Sequence, residues 1–322
     1  MASAEHSKPI RFGLFDSGVG GLSVFRRLHQ LASVCPDKQF EFVYVGDTAR
    51  CPYGNRQGAD IQQFVEQIIG FLANKNVDHV VMACNTSAAV SLDHARKVSP
   101  VPVHDIISPA ARYVATNFRR VGVMATQSTA NSHAFAKRIQ YHSRSTEVFE
   151  LGCPNLVPLV ESGDIYSDNA KGVLFEYTNQ MEEQGVEAII LGCTHFPFLR
   201  RAIRDLLPAS VALVDPAELL TLQIAHDLGL DIPAEALNDS IPELHCQHDC
   251  TFFTTGSASV FANTAATCLG KSDAQLVPMN SVFGLPVEVL EDSALPQHAG
   301  VFSTVSNVVA LPQPYGDSTS VV

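Results

Sequence analysis

The sequence predicts an α/β protein built from two pseudo-symmetric, doubly wound parallel-sheet domains that face each other across a cleft. The first observation is a duplication. Residues 77–86, VDHVVMACNT, and 186–195, VEAIILGCTH, superpose without a gap at an offset of 109 residues (193 − 84). The same offset lays RFGLFDS, 11–17, over RVGVMAT, 120–126, so that Ser17 falls on Thr126. A third pair, FVYVGDT at 42–48 and VFELGCP at 148–154, matches at nearly the same spacing. The second observation is alternation: short apolar runs take turns with helix-periodic stretches, the order that builds parallel sheets covered on both faces. The third is that Cys84 and Cys193 close equivalent apolar runs, at the carboxyl ends of strands where ligands of doubly wound, flavodoxin-like sheets sit.

Taken in order, IRFGLF at 10–15 is a short apolar run stopped by Asp-Ser-Gly and followed by a helical pattern through Leu22, Phe25 and Leu28. That is strand, glycine turn, helix. A strand at 42–45 leads into GDTARCPYGNR, a loop punctuated by Gly and Pro, then a helix over 60–74 and the strand that ends at Cys84. SAAVSLDHARKV reads as a helix capped by Asn85, Thr86 or Ser87. The second half repeats the order, with strands at 121–124, 148–151 and 188–192 and helices from about 130, over 168–184 and over 197–206. VALVDPAELLTLQIAHDLGL reads as a strand and a helix, TFFTT as a strand and SASVFANTAATCL as a helix. The expected domains are 10–106 with 215–285 as the first lobe, carrying Asp16 and Cys84, and 107–214 as the second, carrying Cys193 and His195. Residues 286–322, with Pro286, Pro296, Pro312 and Pro314 and little apolar periodicity, are expected to be a loosely ordered C-terminal extension.

A chain of 322 residues that is 46% hydrophobic buries a full core. The net charge of −12, without a basic cluster, argues against nucleic acid or an anionic membrane as partner. MASAEHSKP lacks the apolar core of a secretory signal, and no run approaches the ~20 apolar residues of a membrane span. The expectation is a soluble cytoplasmic protein with a candidate homodimer as its assembly. Eight cysteines in a chain of this length read as reduced thiols more than as a disulfide framework. HCQHDC at 245–250 holds two His and two Cys, but its spacing matches no familiar zinc knuckle, and no metal site is expected.

Most buried cysteines are small hydrophobes. Cys84 and Cys193 depart from that because each sits at a strand-to-helix turn, where amides of the following helix lower a thiol pKa, and because they are duplicated. Cys35, Cys51, Cys153 and Cys268 lack this paired context and read as structural. Asp16, closing the first strand, reads either as a turn-capping aspartate or as a group that holds or accepts a thiol proton beside Cys84. His195, two residues after Cys193, is the corresponding group on the other side, and Glu161 is either a solvated loop acid or its companion. FDSGVGG is neither a Walker loop nor a dinucleotide fingerprint, since the Gly-Lys-Ser/Thr ending and the Gly-x-Gly-x-x-Gly spacing are both absent, yet its amides can cradle a carboxylate.

DSGVGGLSV, VGDTARCPYG, ACNTSAA, LVESG, LGCTHFP and FFTTG, in that order between about Ile10 and about Leu285, resemble the motifs of the glutamate racemases, members of the aspartate/glutamate racemase superfamily. The resemblance implies a cofactor-independent isomerase that interconverts L- and D-glutamate and supplies D-glutamate for peptidoglycan synthesis, and hence for cell wall biogenesis and cell shape. It implies Cys84 and Cys193 as the two acid/base residues, with Asp16 beside Cys84 and His195 and Glu161 on the Cys193 side. It carries substrate contacts to Ser17, Pro52, Tyr53, Gly54, Asn85, Thr86, Thr126 and Thr194. The chain departs from the family pattern at Ala125, where Gly is frequent, and at Phe196, where Tyr is common.

The chemistry agrees with that implication. Racemisation removes a weakly acidic α-proton from one face and returns one to the other, so two groups are needed, and thiols lie near enough to neutrality to serve in either state. Without a pyridoxal sink or a Schiff-base lysine, the developing carbanion depends on a dry site of hydroxyl and amide donors. The motifs offer few fixed cations for a dianionic substrate, which leaves part of that work to helix N-termini. Two rival expectations are a racemase for aspartate or another amino acid, and a non-catalytic amino-acid-binding module.

Overall fold

Strand β1 (Ile10–Asp16) is buried along its last five residues, because β2 (Phe40–Gly46) and β3 (His79–Met82) flank it in parallel register. A strand covered on both edges and both faces needs the continuous apolar run that IRFGLF supplies. The computed structural model describes residues 8–232, 249–268, 281–282, 285–290 and 295.

The first sheet adds β4 (Val103–Asp105), β9 (Asp249–Thr254), β10 (Ser281–Val282) and β11 (Leu285–Val289), in the order β10-β11-β9-β2-β1-β3-β4. The second holds β5 (Arg120–Ala125), β6 (Glu147–Gly152), β7 (Ala188–Gly192) and β8 (Ala212–Val214), in the order β6-β5-β7-β8. Every ladder is parallel except the short β10–β11 pair. The run β2-β1-β3-β4 has the same topology as β6-β5-β7-β8, so the duplicated sequence is a duplicated fold. Strands β4 and β8 start at 103 and 212, at the same offset as the cysteines. That fourth match is hidden in the sequence because three-residue strands show no period.

The helices are α1 (Leu22–Ser33), α2 (Gly58–Asn74), α3 (Asn85–Val98), α4 (Ile107–Asn117), α5 (Gln127–Ser132), α6 (Ala134–His142), α7 (Leu156–Glu161), α8 (Asp168–Glu183), α9 (Arg200–Leu206), α10 (Pro216–Asp227) and α11 (Ala258–Cys268). The single helix expected from about 130 is two, broken where His133 takes a left-handed φ of 53°. Glu161 ends α7 rather than sitting in a loop. Phe25 of α1 meets Phe42 and Phe252 edge-on at 5.6 and 5.2 Å, and Phe12 stacks on Phe42 at 6.0 Å. Each such ring pair adds roughly 0.5–1.5 kcal/mol beyond the area it buries, which welds β1, β2 and β9 under α1.

The expectation of a loosely ordered extension from 286 is corrected at its start. Val287, Glu288 and Val289 pair in parallel with Phe252, Phe253 and Thr254, and the Leu290 N–H donates to the Thr254 carbonyl at 2.7 Å. The alternation of LPVEV has strand period, and the sheet edge at β9 supplies a partner that no local pattern announces. Residues 291–294 and 296–322 lie outside the described residues. No helix among the described residues is long and apolar enough to cross a membrane.

Candidate active site

The central strands of both sheets point their carboxyl ends at one place. β1 delivers Asp16, β3 leads to Cys84, β5 leads to Thr126 and β7 leads to Cys193. Cys84 is itself the N-cap of α3: its sulfur accepts the Ser87 N–H at 3.5 Å, a role expected of Asn85, Thr86 or Ser87 from the sequence. Its S–H donates to Ser17 Oγ at 3.7 Å. The expected depression of its pKa is overturned. Burial, then the negative charge of Asp16, push the Cys84 thiol up to about 12, outweighing the bonds from Ser87 and Ser17. A helix-terminal amide favours thiolate, but a cysteine that is 4% exposed and beside a carboxylate keeps its proton.

The other side is built differently. Cys193 Sγ lies 3.9 Å from His195 Nδ1, and His195 Nε2 lies 3.0 Å from Glu161 Oε1. Burial works against an imidazolium here, yet the bonds to Cys193 and Glu161, with the charges of Cys193 and Asp16, hold His195 well above the ordinary imidazole value. A protonated His195 then donates from both ring nitrogens, to sulfur on one side and carboxylate on the other.

The two halves interlock at Asp16. Thr194 Oγ1 donates to Asp16 Oδ1 at 3.2 Å and the Gly18 N–H donates to Asp16 Oδ2 at 2.9 Å. Asp16 is fully buried, and burial raises its carboxyl pKa against the opposing pull of His195 and of its hydrogen bonds. Across the cleft, Thr86 Oγ1 stands 3.1 Å from both Thr126 Oγ1 and Thr129 Oγ1. The two contacts are similar but not repeat-related: Thr194 follows Cys193 directly and reaches the last residue of β1, while Thr86 lies two residues after Cys84 and reaches Thr126, just past β5. Such closeness requires Gly20, since a Cβ there would stand 2.4 Å from Thr194 Oγ1 and 2.5 Å from His195 Nδ1.

Asn85, buried directly after Cys84, has both side-chain amide atoms without a hydrogen-bond partner among the described residues. Loop 51–54 closes the neighbouring wall: a Cβ on Gly54 would meet Thr126 Cβ at 3.9 Å. The Cys51–Pro52 peptide is cis, and Pro52 is exposed. Tyr53 is buried and gives its hydroxyl to Asp47, so only its ring and backbone remain for the cleft. Cys51, expected to be structural, is a third thiol here. Burial, then the charges of Asp16, Glu161 and Cys84, push it up to about 12, and it shares Ser17 with Cys84. Among the described residues no cluster of three or more His, Cys, Asp or Glu side chains is placed to hold a metal ion. His245, Cys246 and His248 lie outside the described residues.

Residues 15–224 match the profile of the family described as Asp/Glu/Hydantoin racemase. The chain belongs to that family. A relative named glutamate racemase, from Desulforudis audaxviator, is 39% identical over 266 residues, covering 80% of this chain and 93% of its own. Among solved structures, the glutamate racemase of Francisella tularensis in complex with D-glutamate superposes with a TM-score of 0.72 at 29% identity, covering 89% of this chain and 99% of that one. The glutamate racemase of Thermus thermophilus in complex with beta-chloro-D-alanine gives 0.71 at 35%, covering 89% and 100%.

Within this racemase, Gly20, Asp47, Thr129 and Cys51 join the site without having been expected there. Gly20 has a signal in the sequence, the tight GVGG run after a strand-ending aspartate. Thr129 and Asp47 have none, because the partners that tie them across the fold, Thr86 and Thr255, come from distant parts of the chain.

Proposed function

We propose that the chain racemises glutamate without a cofactor, Cys84 and Cys193 working on opposite faces of the α-carbon. The observation that supports the reading is the unequal setting of the two duplicated cysteines on either side of Asp16. Cys84 keeps its proton, while Cys193 has beside it the imidazolium that a thiolate needs as counter-charge. One turnover then takes the α-proton onto Cys193 sulfur as the Cys84 S–H is given to the opposite face, and the reverse turnover exchanges the roles. Asp16, electrostatically coupled to both Cys84 and His195, links the two protonation states.

The carbanion has its charge on the α-carboxylate oxygens, and donors aimed there stabilise the transition state more than the ground state. The unpartnered Asn85 amide, the hydroxyls of Ser17 and Thr86 and the N-terminus of α3 are the groups available, since Thr194 already gives its hydrogen to Asp16 and Thr126 to Thr129. Arg50, the cation of the motif nearest the cleft, is already held by Asp47. The D-glutamate formed would feed peptidoglycan synthesis in the cytoplasm.

Incubating the protein with L-glutamate in D2O, with no added cofactor, tests this. D-glutamate detected by circular dichroism, with deuterium at the α-carbon, is expected; neither signal, or activity confined to another amino acid, would refute the assignment.

A further inference from the structure

Two motifs remain without a role: the GDT that opens the substrate-facing loop and the FFTTG that ends β9. The fold brings them together. Asp47, fully buried, takes the Tyr53 hydroxyl, the Arg50 Nε–H at 2.8 Å and the Thr255 hydroxyl at 2.7 Å. Thr48 Oγ1 and Thr254 Oγ1 stand 2.6 Å apart, and the Ala49 N–H donates to Thr255 Oγ1 at 3.0 Å. Gly256 lets this contact form, because a Cβ there would meet Thr48 Oγ1 at 2.5 Å. The Asp47 N–H donates to the Asp16 carbonyl at 2.9 Å, so the same residue is tied to the end of β1.

We propose that Asp47 and Thr255 are positioning residues that set loop 51–54 against Thr126, a claim that rests on the reading of this loop as a substrate-binding wall. Asp47 is a hub. Its carboxylate fixes Tyr53 inside the loop, and its partner Arg50 lies 4.3 Å over the Phe64 ring and bonds Gln67 of α2. Thr255 is the peg that joins the hub to the sheet: its hydroxyl gives its hydrogen to Asp47 and accepts from the Ala49 amide. The peg itself is held by its own N–H to the Gly46 carbonyl at 3.1 Å. Removing the hydroxyl therefore leaves the strand in place and frees only the loop. Strand β11, paired along the far edge of β9 up to Val289 and Thr254, backs the peg from the other side.

Loop 51–54 touches substrate in ground state and transition state alike, so loosening it removes uniform binding and shows in KM. The test compares Thr255→Val, Thr255→Ser and Asp47→Asn in the full chain by glutamate racemisation kinetics and by hydrogen exchange of the amides of 47–56. The expected result for Thr255→Val is a KM raised roughly 10-fold with kcat within about 3-fold of wild type, and faster exchange confined to that loop. Thr255→Ser restores both, and Asp47→Asn loosens the loop further, with kcat/KM down on the order of 100-fold. Unchanged KM and exchange in Thr255→Val would overturn the proposal, as would a valine defect that serine does not repair. A wild-type protein inactive on glutamate would refute the functional reading alone. The exchange measurement then decides the positioning claim, acceleration supporting it and an unchanged loop overturning it.

Discussion

Thr194, the residue after one cysteine, donates its hydroxyl to Asp16, the last residue of the other lobe's central strand, at 3.2 Å. The bond ties the cysteine-bearing turn of one repeat to the carboxylate that faces the cysteine of the other. Asp16 raises the Cys84 thiol and favours the charged form of His195 at the same time, so the protonation states of the two sides are set by one shared group.

Replacing Asp16 with Asn keeps shape and removes that charge. The Cys84 thiol pKa should fall, since its second-largest raising influence is gone, and racemisation should drop on the order of 100-fold as proton transfer loses its match. The rate of Cys84 alkylation by iodoacetamide against pH reads the shift; an unmoved profile would contradict the electrostatic assignment.

Glu161→Gln takes the negative charge from one of the bonds that hold His195 protonated. A histidine whose pKa rises on folding binds its proton more tightly in the folded state, so its stabilisation is complete below its unfolded value near 6.5 and is lost as pH rises through about 10. Wild-type stability should therefore decline across that window, and the decline should be shallower in Glu161→Gln. Urea midpoints measured from pH 6 to pH 10 check this, and activity of the variant should fall roughly 10- to 100-fold.

Gly20→Ala places a methyl group 2.4 Å from Thr194 Oγ1 and 2.5 Å from a histidine ring pinned on both nitrogens. Thr194 escapes only by giving up Asp16. A kcat loss of about 100-fold is expected from a displacement of an ångström or less, with a lowered melting temperature; steady-state kinetics beside thermal unfolding would reveal it.

The duplication makes Cys84 and Cys193 legible in the sequence, because each repeat is a control for the other, whereas Asp16 is legible as the residue that closes the first strand ahead of a glycine turn. Strands β1, β2, β3, β5, β6 and β7 are legible for the same reason and because buried parallel strands are continuous apolar runs. The protonation of Cys84 is not, since depth of burial is a tertiary quantity and here it exceeds the helix-terminal effect that the local sequence advertises. Asp47 and Thr255 are illegible as a pair because 208 residues separate them. Strand β11 hides behind its proline at 286 and the absence of a partner nearby in sequence.

The two-face division of labour is tested most directly by α-deuterium exchange into each enantiomer of glutamate catalysed by Cys84→Ser and Cys193→Ser in D2O, beside the two alanine variants. Each serine variant should exchange one enantiomer far faster than the other, with opposite preferences, and neither Cys84→Ala nor Cys193→Ala should racemise. The same enantiomer preferred by both serine variants, or wild-type racemisation by either alanine variant, would contradict the account.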